Sequence, residues 1–166
     1  MVGVFFMWVA AMRYLYRLIA WLAATVAPLT YAATPSPDTL SCTWQSIASK
    51  YHGLNPYLLH AIAVQESSLN PSAKGRPNAN GSVDIGLMQI NSAWLPQLKS
   101  RFGITLSHLY HPCINLDVGA WILYENFRTY GYSWRAIGAY NAKNEAKRLA
   151  YVLKIYRKMP PALLPQ

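Results

Sequence analysis

The sequence predicts a mostly helical α+β domain with one small β element, and three observations carry that prediction. Apolar residues recur at helical spacing in six separate segments. Most of those segments open on a capping residue or a proline, or close on a glycine or proline. One long stretch, residues 70–91, lacks helical period; it is dense in Asn, Pro, Gly and Ser before it turns apolar. At 166 residues the chain is long enough for one domain with a real core and too short for two of ordinary size.

Residues 1–33 hold no acidic residue, place Arg13 and Arg17 ahead of an apolar run over 18–27, and finish in Thr30-Tyr31-Ala32-Ala33. This is the pattern of a secretory signal peptide over 1–32, the small residues Thr30 and Ala32 favouring cleavage after Ala32. The apolar stretch before Arg13 leaves Met12 open as the start. An uncleaved membrane anchor is the rival, opposed by the two arginines and by a run shorter than the roughly 20 residues a span needs. Residues 33–39 then read as a flexible lead, 40–158 as the folded domain and 159–166 as a tail.

Within the domain a first helix is expected to run to about His52, with Trp44, Ile47, Ala48 and Tyr51 on one side and Gly53 as its stop. Asn55 as N-cap and Pro56 at the first helical position open a second, ending near Asn70-Pro71. Residues 70–84 form a long loop or small hairpin, and 83–91 supply a short strand. Trp94, Leu95, Leu98 and Phe102 mark a third helix stopped by Gly103. A longer one follows from about Pro112 to Tyr130, ended by Gly131. A short helix covers Trp134 to Asn141, and the last runs from Asn144 to Lys158 before Pro160-Pro161.

Without Arg13 and Arg17 the remaining chain keeps 13 of its 15 basic residues against 6 acidic ones. That balance implies a polyanionic partner: nucleic acid, anionic lipid or the acidic wall polymer of bacteria. A secretion signal argues against nucleic acid, as does the scatter of the charges. Lys143, Lys147, Arg148, Lys154, Arg157 and Lys158 cluster, but can be read as the solvated face of the last helix. Cys42 and Cys113 are the two cysteines, and in an exported chain they are expected to be bonded, two free buried thiols being the alternative. The bridge would close a loop of about 70 residues, worth roughly 4 kcal/mol in the chain-entropy model. With His108 and His111 they match no zinc spacing, so no metal and no cofactor is expected.

The chemistry narrows to a carboxylic acid, since no nucleophile elbow, phosphate loop or HExxH pair is present. Glu66 shares a helical stripe with Leu59, Ile62 and Ala63, where burial would raise its pKa and let it hold a proton near neutral pH. A salt-bridged structural glutamate fits the helix equally well. Glu145 sits in a first helical turn, where the helix dipole is reason enough for a carboxylate. Glu125 has Arg128 three residues on as a partner.

Four stretches in order then bear a resemblance. Residues 61–71, with Gln65-Glu66-Ser67-Ser68-Leu69-Asn70-Pro71, are followed by Gly86-Leu87-Met88-Gln89-Ile90-Asn91, by Gly138-Ala139-Tyr140-Asn141-Ala142, and by Tyr151-Val152-Leu153-Lys154-Ile155. Together, over about residues 40–157, they resemble the soluble lytic transglycosylases, which have a goose-type lysozyme-like fold and cleave bacterial peptidoglycan. The small size, the cysteine pair and the stretches 82–86 and 118–121 look closest to specialised members that accompany conjugation, pilus and type III and IV secretion machines, the invasion-protein type included.

The resemblance implies a periplasmic monomer acting on glycan strands, with Glu66 as sole acid and base and a 1,6-anhydro product. It implies that Ser67 sits beside the acid, that Gln89 and Asn91 offer amides to the sugar cleft, that Tyr140 and Asn141 lie across from Glu66, and that Tyr151 adds a hydroxyl from the last helix or only packs there. Met88 reads as core. Lys143 stands where many members have Gly, which puts the turn after Tyr140 in question. Asp84 keeps a water-using hydrolase open, unless it merely stabilises its turn. An inactive peptidoglycan-binding module of the same fold is a third reading.

Overall fold

In the computed structural model, which describes residues 42–161, each helix begins where a side chain can satisfy its first free N–H groups or where a proline has none to offer. The predicted signal peptide or anchor, the lead and the tail beyond 161 lie outside the described residues. Helix α1, Trp44–Ser49, opens on a reciprocal capping box between Thr43 and Ser46. It stops short of His52 because Lys50 and Tyr51 turn to a common partner in another helix: Lys50 Nζ lies 2.8 Å and the Tyr51 hydroxyl 2.9 Å from the Asp117 carboxylate.

Helix α2, Pro56–Ser67, has the expected start, Asn55 Oδ1 accepting from the Tyr57 N–H at 2.8 Å. It ends earlier than the sequence predicts. Ser68 and Leu69 adopt left-handed backbone, φ 54° and 65°, and their N–H groups fold back onto Val64 and Ala63. No glycine marks this stop, and each such residue costs about 1–2 kcal/mol.

The expected single strand over 83–91 is instead a hairpin. Strand β1, Asp84–Ile85, pairs antiparallel with β2, Ile90–Asn91, in the register Asp84 to Asn91 and Ile85 to Ile90. Gly86 at φ 76° and Gln89 at φ 48° reverse the chain between them. A short 3₁₀ turn leads into α3, Leu95–Phe102, and a second precedes α4, Pro112–Tyr130. Helix α5, Trp134–Asn141, and helix α6, Glu145–Tyr156, follow with caps from Ser133 and Asn144.

The core forms around α4, whose Leu116, Val118, Ala120 and Leu123 are buried, and takes in Leu58, Leu59 and Ile62 from α2 and Ile85, Met88 and Ile90 from the hairpin. Two-residue strands cannot hold themselves in place. The fully buried Asn115 of α4 does it: its Nδ2 donates to the Ile85 and Leu109 carbonyls at 2.8 and 2.7 Å, and its Oδ1 accepts from the Met88 N–H at 2.7 Å. The fit is tight enough that a Cβ at Gly86 would lie 2.4 Å from Asn115 Nδ2, and one at Gly119 would lie 2.9 Å from Met88 Cβ. Cys42 and Cys113 are bonded, 71 residues apart, tying the chain before α1 to the first turn of α4.

Asn115→Ala would remove three hydrogen bonds to buried backbone groups, each worth about 1–3 kcal/mol where its group is left unpaired. The expected loss is about 3 kcal/mol or more in urea denaturation; a loss below about 1 kcal/mol would contradict the pinning role.

Candidate active site

Glu66 stands in the last turn of α2, directly above the buried Leu59, Ile62 and Ala63, and is itself half-buried. The Tyr151 hydroxyl, brought in by α6, donates to Glu66 Oε1 at 2.5 Å. Burial raises the carboxyl above its ordinary pKa; the Tyr151 hydrogen bond opposes this, the Asp84 charge reinforces it, and the Lys154 charge opposes it, with burial prevailing. No cation lies within ion-pair distance of Glu66 among the described residues. The salt-bridged structural reading therefore finds no support. Glu125 and Glu145 do have such partners, Arg128 at 3.3 Å for the first and Arg135 and Arg148 for the second.

Ser67 lies next to the acid and bridges α2 to the hairpin turn, its Oγ donating to the Leu87 carbonyl at 2.7 Å and sharing the Ala63 carbonyl at 3.3 Å. The Tyr140 hydroxyl donates to the Met88 carbonyl at 3.0 Å. Burial lifts its pKa well above the phenol range, with the Glu66 and Asp84 charges adding to the rise, so it remains a neutral phenol with lone pairs to offer. Burial likewise drives Tyr151 upward, with the Glu66 charge second.

The two amides expected to offer themselves to the sugar cleft also bond within their own loop. Asn91 uses both ends, Nδ2 on Asp84 Oδ1 at 2.7 Å and Oδ1 as a cap for the Ala93 N–H at 2.9 Å. Gln89 spends its Nε2 on the Gly86 carbonyl at 2.8 Å and the Ala73 carbonyl at 3.3 Å. Both brace the loop beside the acid. Met88 is core, fully buried. Asn141 is exposed at the end of α5. Asp84 reaches Asn91 and, at 3.4 Å, Asn78 Nδ2, on the loop side of the same cluster.

The wall carrying Tyr140 and Tyr151 depends on a residue that sequence reading left in the solvated cationic group. Arg148 is buried: its Nε donates to the Ala142 carbonyl at 2.8 Å, a terminal nitrogen donates to the Tyr130 hydroxyl at 3.2 Å, and its guanidinium lies over the Tyr130 ring at 4.8 Å. It fastens the turn that holds Lys143, and its Cβ occupies the space beside Gly138. The available signal was register, since Arg148 falls three before Tyr151 and seven before Ile155 on the inward face of α6. A cavity of about 340 Å³ opens elsewhere, lined by Phe102, Ile114, Val118 and Trp121 among others, and holds none of these residues.

A helical domain with one hairpin beside a half-buried acid defines the lysozyme-like class. The chain belongs to the family described as Transglycosylase SLT domain, which matches residues 43–152, and it is a lytic transglycosylase. It is 40% identical over 156 residues to invasion protein IagB of Salmonella typhimurium, covering 89% of each chain. Against protein IpgF of Shigella flexneri the identity is 38% over 119 residues, 69% of this chain and 77% of that one. In fold it resembles the lytic transglycosylase Slt of Pseudomonas aeruginosa, solved as an inactive mutant, with TM-score 0.58 and 22% identity over 74% of this chain and 23% of the other.

Because folding raises the Glu66 pKa, the folded chain holds that proton more tightly than the unfolded one. Its contribution to stability is full below the ordinary carboxylate pKa and is lost as pH rises through the raised value. Glu66→Gln is therefore expected to match the wild type in urea at about pH 4 and to exceed it at about pH 8. Tyr151→Phe, which removes the opposing hydrogen bond, should move the Glu66 carboxyl further up in an NMR titration; a downward move would show that the bond does not favour the ionised form.

Proposed function

We propose that Glu66 is the sole acid and base of a peptidoglycan lytic transglycosylase that cleaves the bond between N-acetylmuramic acid and N-acetylglucosamine. The observation that carries this is a single half-buried carboxyl, held in a raised-pKa setting by an apolar helix face and bonded to Tyr151. Protonated, Glu66 gives its proton to the bridging oxygen; the bond from muramic C1 to that oxygen breaks, and positive charge develops at C1. Ionised, it then accepts the proton of the same sugar's C6 hydroxyl as that oxygen attacks C1 and closes the 1,6-anhydro ring. The nucleophile is already tethered, so its approach costs little entropy and no water need be held. Tyr151 supports the ionised state by hydrogen bonding, while Ser67 and Tyr140 fix the hairpin turn beside it.

Asp84 supports a second reading, since its charge is felt at both Glu66 and Tyr140. A carboxylate there could position water for hydrolysis, as in ordinary glycosidases, which use two carboxylates. Its carboxylate oxygens are engaged by Asn91 and Asn78, which favours a bracing role.

The likeness to invasion protein IagB and to IpgF supports placing the enzyme in the periplasm after export, as a monomer opening the wall locally for a secretion, conjugation or pilus machine. The apolar, basic N-terminus supports export.

Digesting purified sacculi and reading the new ends by mass spectrometry tests the chemistry. Wild type should release anhydromuramic ends, and Glu66→Gln should lower the rate at least about a hundredfold. Asp84→Asn and Glu125→Gln should still give anhydro product. Reducing muramic ends from the wild type would mean hydrolysis, and no release at all would favour a binding module.

A further inference from the structure

Helix α6 distributes its side chains in an unusual way. Arg148, Tyr151 and Ile155 face inward and are buried. The outward face, where a solvated helix keeps its lysines, instead carries Leu149, Leu153 and Tyr156, which are 62%, 48% and 38% exposed. Lys147 and Lys154 stand at the border, four residues before and three after Tyr151. At about 100° per residue they lie within roughly 60° of Tyr151 around the helix, about 10 Å apart along its axis. They are exposed, and no acidic group pairs with them among the described residues. Tyr151 is the residue that touches Glu66, so the row runs along the edge of the wall that supports the acid. The Lys154 charge is felt at the Glu66 carboxyl, which places it on the same side.

The substrate's chemistry says what such a row could meet. Each muramic acid carries a peptide through the lactyl group on its C3, two ring atoms from the C1 that reacts. The stem and its carboxylates therefore leave the sugar close to the acid. We propose that Lys147 and Lys154 bind carboxylates of the stem peptide on the reacting muramic acid, and that the enzyme for this reason cleaves peptide-bearing strands in preference to denuded ones. This rests on the reading of Glu66 as the acid. A strand stripped by an amidase still carries one carboxylate, on the lactyl group itself. The separation of the two lysines matches a peptide with several carboxylates better than that single group next to the ring.

Steady-state kinetics on two substrates tests the proposal: soluble glycan strands with their stem peptides, and the same strands after amidase treatment. Two exposed ion pairs of ordinary strength together give about a fivefold effect. In the Lys147→Met/Lys154→Met variant, kcat/KM on peptide-bearing strands should fall by about that factor relative to kcat/KM on denuded strands, through KM, since any change in the acid from losing the Lys154 charge is common to both substrates and cancels in the ratio; Lys147→Arg/Lys154→Arg should restore the preference. Equal loss on both substrates would overturn the row as a peptide site and leave Lys154 only a tuner of the acid. A larger loss on denuded strands would assign the lysines to the lactyl carboxylate instead, and no loss on either would remove them from recognition altogether. Failure of the underlying reading looks different: the wild type would then give no anhydromuramic ends on either strand, whatever the lysines do.

Discussion

Three hydrogen bonds from one buried amide hold the rest of this structure in register. Asn115 alone would be a costly residue at the centre of a core, and with its donors and acceptor used it becomes the fixed point for a hairpin too short to be stable by itself. Met88 passes that constraint on: its N–H is held by Asn115 of α4, and its carbonyl receives the hydroxyl of Tyr140 from α5. Its neighbour Leu87 offers a carbonyl to Ser67 of α2. Three helices are thus fastened to one four-residue turn, and the acid sits where they meet.

Charge follows the same economy. Of the acidic residues described, Asp117, Glu125 and Glu145 are ion-paired, while Glu66 and Asp84 are not. In a chain with a large excess of cations, leaving two carboxylates without an ion-paired cation is a selective arrangement. Both lie at the candidate site, where a salt bridge to Glu66 would depress a pKa that burial raises. Tyr151 is a neutral donor and steadies the carboxylate with less cost to its proton affinity than a full positive charge would impose.

Much of this was legible in the sequence because the signals were local. Asn55-Pro56, Gly103 and Asn144 set helix ends by chemistry contained within a turn, and the stripe of Leu59, Ile62 and Ala63 placed Glu66 against the core. The misplacements have a common cause in tertiary contacts. Helix α1 gives up a turn because Lys50 and Tyr51 reach Asp117, 67 and 66 residues away. Helix α2 stops at Ser67 without a glycine, where the Ser67 hydroxyl reaches the Leu87 carbonyl of the hairpin turn and the next two N–H groups close back on Val64 and Ala63. The hairpin was hidden in an apolar run whose reversal needs a left-handed glutamine. The bonds of Asn91 and of the Gln89 Nε2 within their own loop could not be read from spacing, and Arg148 was masked by its cationic neighbours.

The donor in the contact between Tyr151 and Glu66 gives the acid a direction. A phenol that gives its hydrogen to the carboxylate occupies Oε1 as an acceptor and leaves Oε2 as the oxygen that Tyr151 does not engage. The two oxygens are therefore not interchangeable. Oε1 is held by the protein, and in the mechanism proposed above Oε2 would be the atom that gives up a proton and takes one back. In that mechanism a substrate would present its bridging oxygen and later its C6 hydroxyl to one atom in turn, a requirement on its stereochemistry as well as on its composition.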